Sequence, residues 1–325
     1  MNITEVPKNG VYLADALTFS KSLPNDSLDL VLTSPPYADI KVGSNISKEY
    51  KSIKLSEYVE WFLPIADEIK RALKPNGSFV LNIDTLTKDG DRQLYIFDLL
   101  LALVRRTGLH LIQDAFYIKP PAIPAGSVSK YTRLKPSVEY VWWFSKTKLP
   151  KANAHKVLMQ YSNSFAKKIR DVSRKHLTGM RYMPSGHSLK TERICKDHGG
   201  SIPVNYVYAS MNDGSQEYME EWKKRGLDVH PARYPEMLCD FWLLFLTEPS
   251  DVVFDPFTGS GTTLSSAKRL GRRYIGCDIS KMFIEATQIR LGMVRDHRLD
   301  MDMKLDEFVM ETPIETEVAE DDIEH

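Results

Sequence analysis

The run from Asp251 to Thr263, DVVFDPFTGSGTT, constrains the fold more than any other stretch of the chain. A short apolar segment, Val252–Phe254, passes through a loop holding Gly259 and Gly261 into TTLSSAKRLG, which reads as a helix. A second strand-like run, RRYIGCDI, follows at once. Strand, glycine loop, helix, strand is a βαβ unit, and such units build parallel sheets covered by helices on both faces. The first half of the chain alternates in the same way. GVYLADAL, SLDLVLTS and SFVLNID read as strands. SEYVEWFLPIADEIKRAL, with Ser56 as N-cap and KPNG as its stop, and DRQLYIFDLLLALVRRTG, ending at Gly108, read as helices. LIQDAFYIKP and SVEYVWWFSK are two strands with no helix between them, which predicts a terminal antiparallel pair. YPEMLCDFWLLFLTE and SKMFIEATQIRLGMV are further helices, and SQEYMEEWKKRG a short one. The expected fold is α/β, a doubly wound, mostly parallel sheet.

Glycines between a buried strand and a helix start form the crevice in which doubly wound sheets bind ligands, with helix N–H groups facing the site. Asp278 ends the next strand, 19 residues beyond Gly259, where a carboxylate can accept from ribose hydroxyls. A nucleoside cofactor follows, unless the two glycines serve only a tight strand–helix turn. No lysine follows the glycines, so the loop is not a P-loop, and the third glycine of a dinucleotide fingerprint is missing. Asp255, just before the loop, would repel a pyrophosphate but suits a ligand bearing an ammonium and a sulfonium, as S-adenosylmethionine does.

A second punctuated strand end lies at Thr33-Ser34-Pro35-Pro36-Tyr37. Neither proline has an N–H to donate to a ladder, and Ser34 before a proline is held extended. Unless this is merely a strand-terminating turn, the corner offers the Ser34 hydroxyl, the Pro35 carbonyl and the Tyr37 ring face at the carboxyl edge of the sheet. That set fits a planar group bearing an exocyclic amine. Two acceptors on its N–H bonds would favour pyramidal nitrogen and expose the lone pair for attack on an activated methyl.

TSPPY together with DPFTGSGTT resembles the DNA amino-methyltransferases, which modify N4 of cytosine or N6 of adenine. The order of the motifs is similar to that of the permuted subgroup often called beta. HPARYPEMLCDFWLLFLTEPSDVVFDPF, VYLADAL and LKPNGSFVLNI resemble other segments of that subgroup, so the likeness covers roughly residues 10–150 and 230–290. It implies an S-adenosylmethionine-dependent methyltransferase fold, circularly permuted, with the last two strands beside the first. It implies that Asp255, Phe257, Gly259, Ser260 and Gly261 line the methionine end of the cofactor, that Asp278 takes the ribose and Asp15 the adenine amine. Ser34, Pro35, Pro36 and Tyr37 would hold the target base, and serine at the first position usually accompanies cytosine N4. Ser34 is too weak a base to keep the proton, and Asp84, near the end of SFVLNID, is the candidate acceptor. Adenine N6 methylation, a Rossmann-type nicotinamide oxidoreductase and a non-catalytic DNA-binding protein are the competing readings; Asp255 before the glycines disfavours the oxidoreductase.

Formal charges cancel over the whole chain, with 43 basic and 43 acidic side chains, but not locally. Residues 151–198 hold 11 Lys and Arg against 3 Asp and Glu, and residues 300–325 hold 11 acidic side chains and one lysine. The basic stretch predicts a polyanionic partner. Lys167, Lys168, Arg170, Arg174, Lys175 and Arg181 are its candidate contacts to double-stranded DNA, because an enzyme acting on a paired base needs phosphate contacts and must extrude that base. The expected division is 1–150 and 231–299 as the two halves of the methyltransferase domain, 151–230 as an inserted recognition region, and 300–325 as a disordered acidic tail. Cys195, Cys239 and Cys277 lack metal-ligand spacing and read as reduced thiols, no metal site is expected, and MNITEVPKNG is not a signal peptide. The longest apolar run, FWLLFL, is too short to span a bilayer. A cytoplasmic location is expected, with a separate restriction endonuclease acting on the same DNA site as the family's usual functional partner.

Overall fold

The computed structural model describes residues 5–39, 52–120, 134, 136–175, 180–182, 188–190, 196–210, 216–227 and 234–294. In chain order these form β1 (Gly10–Leu13), α1 (Ala16–Ser22), β2 (Leu28–Thr33), α2 (Tyr58–Ala72), β3 (Leu73–Ile83), β4 (Thr87–Lys88), β5 (Asp91–Arg92) and α3 (Tyr95–Arg105). There follow β6 (His110–Ile118), β7 (Val138–Ser145), α4 (Asn163–Lys175), β8 (Met180–Tyr182), β9 (Ser188–Lys190), β10 (Tyr206–Tyr208) and α5 (Gln216–Lys224). Last come α6 (Glu236–Leu246), β11 (Val252–Asp255), α7 (Thr262–Arg269), β12 (Arg273–Asp278) and α8 (Lys281–Met293).

Eight strands make the main sheet in the order β1-β12-β11-β2-β3-β7-β6-β10. All pairings are parallel except those of β7, which runs antiparallel to both β3 and β6. The mostly parallel sheet agrees with the expectation, and β12 lies beside β1. The antiparallel pair is not terminal: β10, only three residues long, adds parallel to β6 outside it. The KPNG segment also behaves differently from a simple turn. Leu73 pairs with Leu28 and Ser78 with Leu30, so residues 74–77 bulge from a strand that starts directly after α2.

The sheet carries a core on each face. Phe62, Ile65 and Ile69 of α2 and Leu99 of α3 pack with Phe79 and Phe254 on one side. Trp242 and Leu243 of α6 and Ala267 of α7 pack with Leu32, Val80 and Val253 on the other. Burial of each large side chain contributes roughly 2 kcal/mol, enough to hold the strand ends in fixed register. Trp142 and Trp143, adjacent on β7, face opposite cores, as strand alternation requires.

Among the described residues, the chain divides into two compact units, one within residues 1–153 and 204–300 and the other within residues 154–203. The second unit is smaller than the expected recognition region of 151–230, because β10 joins the main sheet and Trp222 of α5 donates to the Ala286 carbonyl of α8 at 3.0 Å. In the second unit, α4 and the β8–β9 hairpin are described, and Met159 and Ser201 exchange backbone hydrogen bonds. The acidic tail lies outside the described residues. Among the described residues, no helix is long and apolar enough to cross a membrane.

Candidate active site

Because β1, β12, β11, β2 and β3 are parallel, their carboxyl ends share one edge, the usual ligand edge of an open α/β sheet. Asp15 follows β1, Asp278 ends β12, Asp255 ends β11, Ser34 follows β2 and Asp84 follows β3. The two punctuated strand ends are joined directly: Thr33 Oγ1 donates to Asp255 Oδ1 at 2.6 Å. The expectation that they share one rim is met.

Asp255 does not present an open carboxylate to a ligand. Oδ1 also accepts from the Phe257 N–H at 3.0 Å, and Oδ2 accepts from Thr263 Oγ1 at 2.8 Å and Tyr234 Oη at 3.3 Å. Burial pushes its pKa up to about 6, and these four donors hold it from rising further. Its role is to gather β2, the glycine loop and the start of α7 around one anion. Gly261 caps α7 with φ +78°, and a Cβ there would lie 2.7 Å from Thr287 Cγ2. The Gly259 N–H donates to Asp278 Oδ2 at 2.9 Å, and the Ser280 N–H donates to Oδ1 at the same distance. A carboxylate oxygen can accept from more than one donor, so these bonds are compatible with a ribose hydroxyl. Asp15 caps α1 by accepting from Thr18, and the Ala14 N–H donates to the Asp278 carbonyl at 3.0 Å, which brings the two acids side by side. Ser260 is buried; its carbonyl accepts from Arg290, which also donates to Thr262 Oγ1 at 2.9 Å. Phe257 lies 5.7 Å from the Trp61 ring. A left-handed glycine turn over a ribose-competent acid, with apolar Ile279 still partly exposed beside it, fits a nucleoside bearing a small cationic tail.

At the second strand end Pro35 is buried and Ser34 and Tyr37 half-buried. The Pro36 carbonyl accepts from Tyr58 Oη at 2.9 Å, which fixes the exit of the corner. Register places Thr33 opposite Leu81, so Asn82 rather than Asp84 neighbours Ser34. Asn82 Nδ2 donates to Glu139 Oε2 at 2.6 Å, and Tyr37 Oη donates to the same oxygen at 3.1 Å. Lys119 ion-pairs with Glu139 Oε1. The Asp84 carboxylate instead accepts from the Thr85 N–H at 2.7 Å and from Arg92 at 3.2 Å, and burial raises its pKa. No bond joins it to Ser34 among the described residues.

On α4, Lys167, Lys168 and Arg170 are exposed while Ile169 is buried, a solvent-facing basic surface on an anchored helix. Arg174 and Lys175 end that helix and Arg181 lies in β8, with side chains outside the described residues. Sequence reasoning missed Thr33, Tyr234, Thr263 and Arg290 around the glycine loop, and Asn82, Lys119 and Glu139 around the corner. Only Glu139 carried a signal, an acid on a strand whose other residues before the terminal Ser145 are apolar or aromatic.

A family model described as DNA methylase matches residues 28–289. The type II methyltransferase M.PvuII of Proteus hauseri is 36% identical over 285 residues, covering 86% of this chain and 82% of its own. The solved structure of the PvuII DNA methyltransferase (cytosine-N4-specific) superposes with a TM-score of 0.67 at 30% identity, covering 93% of this chain and 92% of that one. A putative DNA modification methylase of Thermus thermophilus, complexed with S-adenosyl-L-methionine, shares the fold with a TM-score of 0.52 at 18% identity, over 87% and 93% of the two chains.

Proposed function

The chain belongs to the DNA methylase family, and from that premise we propose that it transfers a methyl group from S-adenosylmethionine to the exocyclic N4 of cytosine in duplex DNA. The observation that carries this reading is the Thr33–Asp255 bond, which holds the amine-binding corner and the glycine loop at one edge. When bound, S-adenosylmethionine supplies an electrophilic methyl group on a sulfonium. The glycine turn at Gly259–Gly261 would receive its methionine end, with Phe257 and Ser260 alongside and Asp255 shaping the turn from beneath. Asp278 would accept from the ribose and Asp15 from the adenine amine. Ser34 and the Pro35 carbonyl would draw on the N–H bonds of the cytosine amine while Tyr37 packs on the ring. A paired cytosine cannot reach this corner, so it must swing out of the duplex.

The cytosine assignment is supported by the 36% identical relative and by the cytosine-N4 specificity printed for the matching solved structure. The basic surface of α4 would hold phosphates, positioning the duplex without reading its sequence. The setting is the cytoplasm, with a restriction endonuclease cutting the same site when it is unmethylated.

The test is to incubate unmethylated duplex DNA with labelled S-adenosylmethionine, digest it to nucleosides and identify the labelled one by mass. Label on N4-methylcytosine is the expected result. Label on N6-methyladenine would overturn the choice of base, and the absence of label would overturn the transferase reading.

A further inference from the structure

The hydrogen bonds of the corner have a direction. Ser34 Oγ donates to Tyr37 Oη at 3.5 Å, and Tyr37 donates in turn to Glu139 Oε2. With its hydrogen committed toward Tyr37 and one lone pair facing Asn82 Nδ2 at 3.5 Å, the Ser34 oxygen has its second lone pair to offer a ligand. Asn82 braces the same end of the chain. Its Nδ2 points at the Glu139 carboxylate, an orientation its amide oxygen could not take without repulsion. Asn82 Oδ1 is then left buried with no partner among the described residues. A buried acceptor without a donor, beside a serine oxygen already polarised away from the pocket, is completed by a ligand carrying N–H groups.

We propose that Glu139 is the terminal proton acceptor of the reaction, reached from the target amine through Ser34 and Tyr37; the inference rests on the methyltransferase reading above. As the amine lone pair forms the new N–C bond, the C–S bond breaks with its electron pair left on sulfur. The cationic nitrogen gives one proton to Ser34 Oγ, Ser34 gives its own to Tyr37 Oη, and Tyr37 gives its own to Glu139, which becomes a neutral acid. The sulfonium charge is thereby cancelled against the carboxylate charge, and Glu139 later returns the proton to water. Tyr37 acts as a link only: burial first, and the Glu139 charge next, hold its phenol well above its ordinary value, so it does not persist as a phenolate. Among the described residues, the other charged groups around Glu139 are Lys119 on its far oxygen and Asp84, itself paired with Arg92. Asp84, the candidate acceptor expected from the sequence, makes no hydrogen bond to Ser34, Tyr37 or Glu139 among the described residues.

Glu139→Gln keeps an acceptor for Tyr37 but cannot take a proton, whereas Glu139→Asp keeps the carboxylate. Single-turnover methylation of amplified, hence unmethylated, genomic DNA is expected to fall about 100-fold in Glu139→Gln and to recover in part in Glu139→Asp. Affinities for S-adenosylmethionine and for DNA should stay within about twofold of wild type, since no bond to either is removed. In the protein without cofactor or DNA, with tyrosine Cζ labelled by ¹³C and the Tyr37 signal assigned from Tyr37→Phe, that resonance should move in Glu139→Gln and return toward the wild-type position in Glu139→Asp. A wild-type rate in Glu139→Gln, a rate loss matched by lost binding, or a Tyr37 resonance unmoved by the substitution would each overturn the relay. A wild-type protein that methylates nothing would sink the transferase reading instead, and the tyrosine resonance would still decide the coupling.

Discussion

Thr33 and Asp255, 222 positions apart, are joined by a 2.6 Å hydrogen bond at the carboxyl edge of the sheet. The bond ties the strand end that carries the amine-binding corner to the one that carries the glycine loop. Thr33→Val preserves the side-chain shape and removes the donor, leaving a buried carboxylate with three. The expected cost is about 1–3 kcal/mol in denaturant unfolding. Because the same bond sets the spacing of the two loops, the single-turnover rate should fall more than the affinity for cofactor or DNA. Unchanged stability and rate in this variant would show that the bond organises neither loop.

Asp255 also gives the protein a pH dependence of known sign. Burial raises its folded pKa to about 6, above the ordinary carboxylate value of 3.8. Such a group favours the folded state below its unfolded pKa, and that contribution is lost as pH rises through about 6. A displacement of this size corresponds to about 3 kcal/mol. Asp255→Asn removes the titration while leaving unmatched donors, so it should be destabilised at every pH but least so at neutral pH. Comparing urea unfolding of the two proteins from pH 4 to 7.5, the deficit of the variant should shrink by up to about 3 kcal/mol. A deficit independent of pH would mean that the carboxyl is not raised.

Gly261 combines a left-handed φ of +78° with a Cβ position 2.7 Å from Thr287 Cγ2. Gly261→Ala therefore meets two obstacles, backbone strain and a clash, and about 1–3 kcal/mol of stability should be lost. Thr287→Ser removes the Cγ2 and keeps the hydroxyl that donates to the Gly259 carbonyl at 3.0 Å. The double variant should recover part of the loss, a favourable coupling in a double-mutant cycle. Strict additivity would show that the Thr287 methyl does not set the cost, since a serine still leaves its oxygen 2.9 Å from the added Cβ.

Ser34→Ala removes the hydroxyl that would draw on the target amine but leaves the Pro35–Pro36 corner and the glycine loop untouched. The single-turnover rate should drop about 100-fold, while the equilibrium affinity for S-adenosylmethionine, measured by calorimetry, stays within about twofold. An equal loss in both would make Ser34 a structural residue of the rim.

Gly261, Pro35 and Pro36 were legible in the sequence because each acts on its own backbone, so the local string suffices to mark a turn. Asp278 was legible because the spacing of a βαβ unit is nearly constant. Asn82 and Glu139 were not, since both enter the corner through the register of β3 between β2 and β7, and that register is set by core packing far from either residue. The bond from Thr33 to Asp255 likewise required β2 to lie beside β11, a neighbour relation between opposite ends of the chain. Arg290 was hidden for another reason: it lies on α8 among ordinary helix residues and is buried only because it serves the Ser260 carbonyl and Glu236. The β10 edge strand, at three residues, is too short for the two-residue strand alternation to repeat and announce it.

The basic face of α4 has a sharper test than loss of binding. Lys167, Lys168 and Arg170 are exposed around the buried Ile169, so replacing all three with Gln leaves the apolar anchor of the helix in place. If each contacts one phosphate, the wild-type slope of log affinity against log salt should become shallower by about 0.9 per residue, or roughly 2–3 in total. Such a loss is uniform over DNA sequences, because phosphate contacts carry no base information. The cofactor affinity should not move, since none of the three lies at the strand ends that form the rim. A triple variant whose affinity falls with an unchanged salt slope would have lost something other than phosphate contacts. An unchanged affinity and slope would remove this face of α4 from the DNA-binding surface.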